Sequence, residues 1–557
     1  MSKKHLGLFL VVLLAFSVCK SQKEEEVSPL QLSPAVGANG MVSTAHPLAT
    51  RSGLAVLRAG GNAFDAAVTI AAMLNVVEPM NSGIGGYGTI LIYDAVRNRT
   101  RFLDSSGKIP AHVDSDMFRP PTPNYRENRR GAKAVSTPGN VNAWWAMSSG
   151  YGRLEWKELF DAAIQAAEDG IKIDERLARV IELTFSEFNP YAQSVYGKKG
   201  KPLKEGDVLV QKDLAESFHL IASEGAKAVY NGELGRSIDK MMKEKEGFLT
   251  IDDLIADRAE WWDPISIEYR GYEVITASPP STAFPSLIRL GLMSCFNNPV
   301  LGHNTAAYLH RFAEVTKHAY WCRLAFAGDP EINPPPLFRL LNEEYWKEIV
   351  DKLDMEEAQP FRPPNIVVKS GDNTTHFVVA DKWGNIVSAT QTLGNSFGCR
   401  IMVDGTGVWL NNSLAYCTFK PKGNPMDAHP GQRKLSGDCP TIVFKEGKPW
   451  IAIGTPGGHA IGQTVPQMIM NMIDFKMGIQ QAIAAPRIAF VEPDFILVEQ
   501  GIDPSVIDAL VEMGHNIRRA TGISNAHGLV IEYDAAGKPV RFVGSADPRG
   551  KGLALGY

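Results

Sequence analysis

The sequence predicts a mixed fold of the α/β (α+β) class, and three observations carry that expectation. Residues 373–380 and 386–392 are rich in β-branched and aromatic side chains. Asp381, Lys382, Trp383, Gly384 and Asn385 between them supply turn chemistry, so the pair is expected to be a β-hairpin. Residues 49–77 follow a helical period in two pieces, broken at Gly60 and Gly61 with Asn62 placed to cap the second, and residues 154–240 are largely helical by the same criterion. Strands and helices alternate irregularly rather than in βαβ units, which fits that class.

The hairpin has a definite expected register. A five-residue turn closing a symmetric loop sets Ala380 against Ile386 and, counting outward, Thr374 against Thr392. Residues paired in this way hold their Cβ atoms about 4.5–5.5 Å apart, near enough for two hydroxyls to meet. A bulge or a one-residue slip would undo the pairing. Facing threonines also simply stabilise sheets, so the hairpin alone does not define a site.

Size and charge narrow the function classes. The chain has 557 residues, 44% of them apolar, and a formal net charge of −4, enough for a large core and the wrong sign for a nucleic-acid surface. Lys3 and Lys4 precede an apolar run at 6–18 that is too short to cross a bilayer, so residues 1–19 are expected to be a secretory signal and the mature chain to be exported, periplasmic or in the cell envelope. Two readings of Cys19 stay open: lipid attachment of the bacterial lipoprotein type, from which Val18 departs, and a plain cleaved signal. The polar stretch 20–39, with its acidic run at Glu24, Glu25 and Glu26, is expected to be a solvated tether. The other cysteines, Cys295, Cys322, Cys399, Cys417 and Cys439, form no C-x-x-C pair and are expected to be free thiols, mostly buried. No H-E-x-x-H spacing appears, and no metal or cofactor is expected.

Gly83-Ile84-Gly85-Gly86-Tyr87-Gly88 spells the dinucleotide fingerprint, but it follows a helix and opens a strand, the reverse of the context that fingerprint needs. Gly454-Thr455-Pro456-Gly457-Gly458 follows an expected strand at 450–453. Its glycines would form a turn, or let backbone N–H groups approach a ligand closely.

From about Gly40 to Tyr557 the chain resembles the γ-glutamyltransferase (glutathione hydrolase) family of N-terminal-nucleophile hydrolases. The resemblance rests on motifs in order: Gly60-Gly61-Asn62-Ala63-Phe64-Asp65-Ala66-Ala67, Gly85-Gly86-Tyr87-Gly88, Ser136-Thr137-Pro138-Gly139, Thr374-Thr375-His376-Phe377, Leu410-Asn411-Asn412, Pro440-Thr441-Ile442-Val443, Gly454-Thr455-Pro456-Gly457-Gly458 and Ala546-Asp547-Pro548-Arg549. It implies a four-layer αββα sandwich and self-cleavage between Asn373 and Thr374, giving a large subunit, 40–373, and a small subunit, 374–557, that stay together. It implies Thr374 as nucleophile, Thr392 as the group orienting it, and Gly457 and Gly458 as donors to the oxyanion. Chemistry agrees: an internal threonine has no base, whereas an N-terminal one carries an α-amine that titrates at about 7.7–8.0. His376 is expected to be a packed strand histidine.

The departures from the family bear on the substrate. Enzymes acting on γ-glutamyl groups grip the glutamate α-carboxylate with an arginine and its α-ammonium with acidic or amide groups. The arginine expected after Leu103 and Asp104 is Ser106, with Lys108 the nearby cation. The asparagine expected two residues past Thr392 is Gly394, with Asn395 adjacent. After Asn412 the family's Gln or Glu and paired aspartates give way to Ser413, Leu414, Ala415, Tyr416 and Cys417, and the serine pair before Pro440 becomes Ser436-Gly437. Ser106, Asn395, Ser413 and Ser436 are therefore the expected substrate-binding positions. The expected function is a self-cleaving amidohydrolase or acylase acting on a small-molecule amide whose acyl group is not γ-glutamyl. A genuine γ-glutamyltransferase is one alternative, and an uncleaved, non-catalytic binding relative is the other.

Overall fold

The computed structural model describes residues 33–364, 373–433 and 435–557. The expected signal, Cys19 and residues 365–372 ahead of the expected cut lie outside the described residues. No described helix is long and apolar enough to cross a membrane.

Two seven-stranded sheets dominate the fold. Their strands, in chain order, are β1 Ala35–Gly37, β2 Gly40–Thr44, β3 Tyr87–Asp94, β4 Arg99–Ser105, β5 Glu260–Trp262, β6 Ile265–Tyr269, β7 Tyr272–Thr276, β8 Asn373–Asp381, β9 Ile386–Gly394, β10 Thr441–Lys445, β11 Lys448–Gly454, β12 His527–Tyr533, β13 Pro539–Ala546 and β14 Leu553–Gly556. One sheet runs β14-β2-β8-β9-β3-β4-β5 and the other β1-β13-β12-β11-β10-β7-β6, with every pairing antiparallel. The tether expected over 20–39 is therefore too long by several residues, because Ala35 to Gly37 already pair with β13.

Side-chain alternation along β8 shows how the layers form. Val378 and Ala380 point between the sheets, where they meet a core that includes Ile442, Ala452 and Leu529. Phe377 and Val379 point the other way, into a helical layer that includes α1 (Pro47–Arg58) and α2 (Ala63–Val77). The second sheet's outer face is covered by α3 (Phe284–Ser294), α4 (Ala306–Phe326) and α5 (Ile461–Ile473). β8 is buried along both faces, and each fully buried Val or Ile contributes about 1.5–3 kcal/mol, so packing on two sides stabilises the hairpin. The layers are αββα, as the resemblance implies.

The helical expectations hold with interruptions. Asn62 caps α2, its side chain accepting from the Asp65 N–H while the Asp65 carboxylate accepts from the Asn62 N–H. Helices in 154–240 are broken by two-residue strands such as Ile171–Lys172. Residues 357–364 have no regular structure, and Asn373 opens β8 as the hairpin reading expects.

The turn between β8 and β9 is organised by Asp381. Its buried carboxylate accepts from the Trp383 and Asn385 N–H groups, the Asn385 amide and the Ala63 N–H at the start of α2. One side chain thus joins the hairpin turn to the first helical layer. Asp381→Ala should leave several buried donors unsatisfied and lower unfolding free energy by about 2–4 kcal/mol, seen as a drop in the urea midpoint with an unchanged slope.

Candidate active site

The hairpin register follows the sequence expectation from Ala380 opposite Ile386 to Thr375 opposite Gln391, and then breaks. A bulge in β9 sets Thr392 and Leu393 together against the single Thr374 and leaves Asn373 opposite Gly394, so Thr374 and Thr392 are not ladder partners. Their hydroxyls meet all the same. Thr374 Oγ1 donates to Thr392 Oγ1 at 3.3 Å, Thr392 Oγ1 donates to the Asn373 carbonyl oxygen at 2.6 Å, and the Gly394 N–H donates to Thr392 Oγ1 at 2.8 Å. A single hydroxyl therefore connects the expected nucleophile to the carbonyl of the peptide bond before it.

Strand alternation aims Thr374 at the second sheet. His376, two residues on, is fully buried on that face, with Nδ1 2.8 Å from Thr390 Oγ1. Its ring lies against Gly454, where a Cβ would sit 2.2 Å from Cε1, so only glycine lets the sheets close together there. Burial, with His527 adding to it, pushes the imidazole well below its usual pKa, which makes His376 a neutral packing group. Gly454 ends β11, and the chain then turns through Gly457 (φ +132°) and Gly458 (φ +56°), both in the left-handed region that favours glycine. Gly458 and Thr374 line one pocket together with Thr392, Gly462, Tyr87 and Tyr416. Gly457 adjoins this lining without belonging to it.

Thr375, on the opposite face, donates to the Glu78 carboxylate at 3.0 Å, and Glu78 in turn pairs with Arg176 at 2.9 Å. Thr374 is thus flanked by anchored residues. Gly86 brings the start of β3 up to the hairpin, since a Cβ there would lie 2.5 Å from the Thr392 carbonyl.

The expected substrate-binding residues sit beside the pocket without lining it. The Ser106 hydroxyl donates to Asp104 at 3.0 Å. Asp104 is held by Arg433 at 3.0 Å, and Arg433 also meets Glu260 at 2.7 Å. Lys108 is 3.5 Å from the same Glu260, while Arg433 bonds the Asp104 oxygen to which Ser106 also donates. The Ser413 hydroxyl donates to Ser136, and the Asn395 N–H donates to the Asn412 side chain at 2.8 Å. Gly394 (φ +97°) is required there, because a Cβ would lie 2.2 Å from Asn412 Oδ1. The Ser436 hydroxyl donates to Asp438 at 2.6 Å, and its neighbours Gly437 and Asp438 do line the pocket.

Sequence reasoning missed most of the lining. Tyr87, Arg289, Tyr320, Arg323, Tyr416 and Asp438 all face Thr374's pocket. Burial, with Tyr416 and Asp438 adding to it, pushes the Tyr87 phenol well above its ordinary pKa, so it presents a neutral O–H. Arg289 had a signal in the sequence: it is a cation inside the apolar run of α3, where all residues from Phe284 to Met293 are buried. A cluster of His310, Glu314 and His515 also went unnoticed: His310 and Glu314 are four residues apart on α4, but His515 joins them only through the fold. His310 Nδ1 lies 2.9 Å from His515 Nε2, His310 Nε2 lies 3.0 Å from the Asp354 carbonyl, and Glu314 pairs with Lys317 at 2.9 Å, so the group forms a polar tie between α4 and the surrounding loops. The five cysteines in the described residues are free thiols; Cys322, Cys399 and Cys439 are buried.

Comparison with known proteins agrees with this geometry. A family model described as Gamma-glutamyltranspeptidase matches residues 49–557. The chain is 35% identical over 550 residues to the glutathione hydrolase proenzyme of Bacillus subtilis (strain 168), covering 94% of this chain and 92% of that protein. It is also 35% identical over 505 residues to the acylase ACY 1 proenzyme of Pseudomonas sp. (strain V22), covering 88% and 89%. The crystal structure of cephalosporin acylase from Bacillus halodurans superposes with a TM-score of 0.87 at 27% identity, over 96% of this chain and 98% of that one. The chain is an enzyme of the gamma-glutamyltranspeptidase family of N-terminal-nucleophile hydrolases.

Proposed function

We propose that this enzyme cuts its own chain between Asn373 and Thr374 and then uses Thr374 as an N-terminal nucleophile to hydrolyse an amide whose acyl group is not γ-glutamyl. The observation that carries the first half is the hydroxyl chain from Thr374 through Thr392 to the Asn373 carbonyl. As Thr374 Oγ1 bonds to that carbonyl carbon, its proton passes to Thr392 and the Thr392 proton passes to the carbonyl oxygen. Collapse returns a proton to the Thr374 nitrogen as the C–N bond breaks, leaving an ester between Asn373 and Thr374 Oγ1. That collapse frees the α-amine, and water then hydrolyses the ester to release the Thr374 hydroxyl and the Asn373 carboxylate.

That amine supplies the base the internal residue lacked. In turnover it accepts the Oγ1 proton as the hydroxyl attacks the substrate carbonyl, then gives it to the departing amine; water splits the acyl-enzyme by the same route. The N–H groups of Gly457 and Gly458 are placed by this reading at the developing oxyanion, and Thr392 orients the nucleophile. The large subunit is then 40–373 and the small one 374–557. The basic and apolar start of the chain supports export, with Cys19 as a lipid anchor or an incidental residue.

Identity does not choose the substrate, because a glutathione hydrolase and an acylase are equally similar to this chain. The residues around Thr374 support an acylase. Ser106 replaces the expected arginine and is turned onto Asp104, while Ser413 is turned onto Ser136. A γ-glutamyl enzyme is the second reading, favoured by the Asp438 carboxylate in the pocket.

Fresh wild-type protein should run as two bands of about 40 and about 20 kDa on a denaturing gel, and Thr374→Ala as one. Thr392→Ala should slow self-cleavage by about two to three orders of magnitude, followed as loss of the uncut band with time. Cleavage of Thr392→Ala at the wild-type rate would remove the proposed relay. In parallel assays, simple acyl amides should be turned over faster than glutathione and γ-glutamyl-p-nitroanilide. Glutathione turnover matching the best amide would restore the γ-glutamyl reading.

A further inference from the structure

The cluster of His310, Glu314 and His515 lies away from the pocket of Thr374, and the proposed chemistry does not use it. His310 and Glu314 stand one turn apart on α4, and His515 meets them from the loop after the helix Pro504–Glu512. The three residues are 0%, 3% and 5% exposed. One atom from each, two imidazole nitrogens and a carboxylate oxygen, lies within 4.8 Å of the other two. None of the three lines the pocket. Tyr320, the first α4 residue that does, is about 15 Å further along the helix axis than His310.

The surrounding hydrogen bonds turn lone pairs towards one another. His310 Nε2 lies 3.0 Å from the Asp354 carbonyl oxygen and donates to it, so His310 Nδ1 carries a lone pair that faces His515 Nε2 at 2.9 Å. Metal-binding imidazoles are held by this same kind of N–H to carbonyl bond. His515 Nδ1 is buried and has no hydrogen-bond partner among the described residues, so no bond at that atom ties the ring to one tautomer, and Nε2 can present a lone pair too. Glu314 Oε1 accepts from the Lys317 ammonium at 2.9 Å, whereas the bond that Oε2 accepts, from the Gln359 N–H, is long at 3.4 Å.

We propose that His310, Glu314 and His515 are the ligands of a zinc-type metal site, and that the ion joins the two subunits. Two imidazoles and a carboxylate suit a borderline divalent ion such as Zn2+, whereas Ca2+ and Mg2+ take oxygen ligands. The two nitrogens need to move apart by only about 0.4 Å to bind one tetrahedral ion, with water in the fourth position. The joining role rests on the proposed cut between Asn373 and Thr374, which puts His310 and Glu314 in the large subunit and His515 in the small one. The cluster already gathers the chain ahead of that cut, since Asp354 and Gln359 are both bonded to it and Lys317 donates to the Gln359 carbonyl at 2.6 Å. Lys317 opposes the ion: its ammonium shares Glu314, with Asp494 3.6 Å away on its other side. The expectation of no metal came from local spacings, and a site completed by His515 through the fold escapes them.

The test titrates untagged, self-processed protein, stripped of metal by chelation, with Zn2+ in a calorimeter. One ion should bind per pair of subunits, and zinc at about 100 times its Kd should raise Tm by about 2–3 °C. His515→Gln should weaken binding by about 100-fold or more. Lys317→Met, which removes the competing ammonium, should strengthen it. No zinc bound by wild type at millimolar concentration, or unchanged binding in His515→Gln, would overturn the site. Thr374→Ala should bind zinc as wild type does, so the site is tested apart from the cut. A wild-type chain that binds zinc yet stays uncut would keep the site and overturn the cut. In cut protein, zinc should raise the urea concentration at which the subunits separate, and an unchanged concentration would overturn the joining role. The wild-type titration decides the matter even where a variant fails to fold.

Discussion

The Thr392 hydroxyl, held between Thr374 and the Asn373 carbonyl, is the constraint on which the rest of the structure depends. Two hydroxyls and a carbonyl must share one line of hydrogen bonds at the end of a hairpin, and a regular ladder does not provide that. The bulge opposite Thr374 does, by fitting one extra residue into β9 at Thr392 and Leu393 while β8 and β9 remain paired on both sides of it. A bulge re-aims a side chain at small cost when the strands around it cannot move. Here they cannot, because both faces of the hairpin are buried and Asp381 pins its turn to α2.

The two-sheet architecture brings the remaining parts together. Period-two alternation sends Thr374 and His376 towards the second sheet, and the bare backbone at Gly454 accepts the His376 ring. The loop after Gly454 consequently reaches Thr374, and Gly458 shares its pocket. Fold and site are in this sense one arrangement: the closeness of the sheets sets the distance between the hydroxyl and the loop that faces it. The acidic anchors around Arg433 tie β4 and β5 to the segment before β10, so the side of the pocket next to Ser106 is braced by charges rather than left open for a substrate.

Much of this was legible in the sequence, and particular residues show where legibility ends. The hairpin turn, the Asn62 cap, the Gly60-Gly61 break and the run of ordered motifs are local signals, and each appears where the pattern puts it. The bulge was not legible, because one extra residue at a strand end changes no periodicity. Ser106, Asn395 and Ser413 were placed by correspondence with family positions, yet their side chains and backbone groups are satisfied by Asp104, Asn412 and Ser136, partners chosen by tertiary packing. Arg289 and Arg323 reach the pocket from helices far from Thr374 in sequence. His515 joins the neighbouring helical residues His310 and Glu314 from some two hundred residues away, so that third member was equally illegible.

The central claim is that Thr374 becomes a chain terminus, and the most direct measurement is the intact mass and N-terminal residue of the smaller fragment in freshly purified wild-type protein. The account predicts a fragment of residues 374–557 that begins with Thr374 and carries a free α-amine. An uncut chain, or a fragment beginning at any other residue, would contradict it.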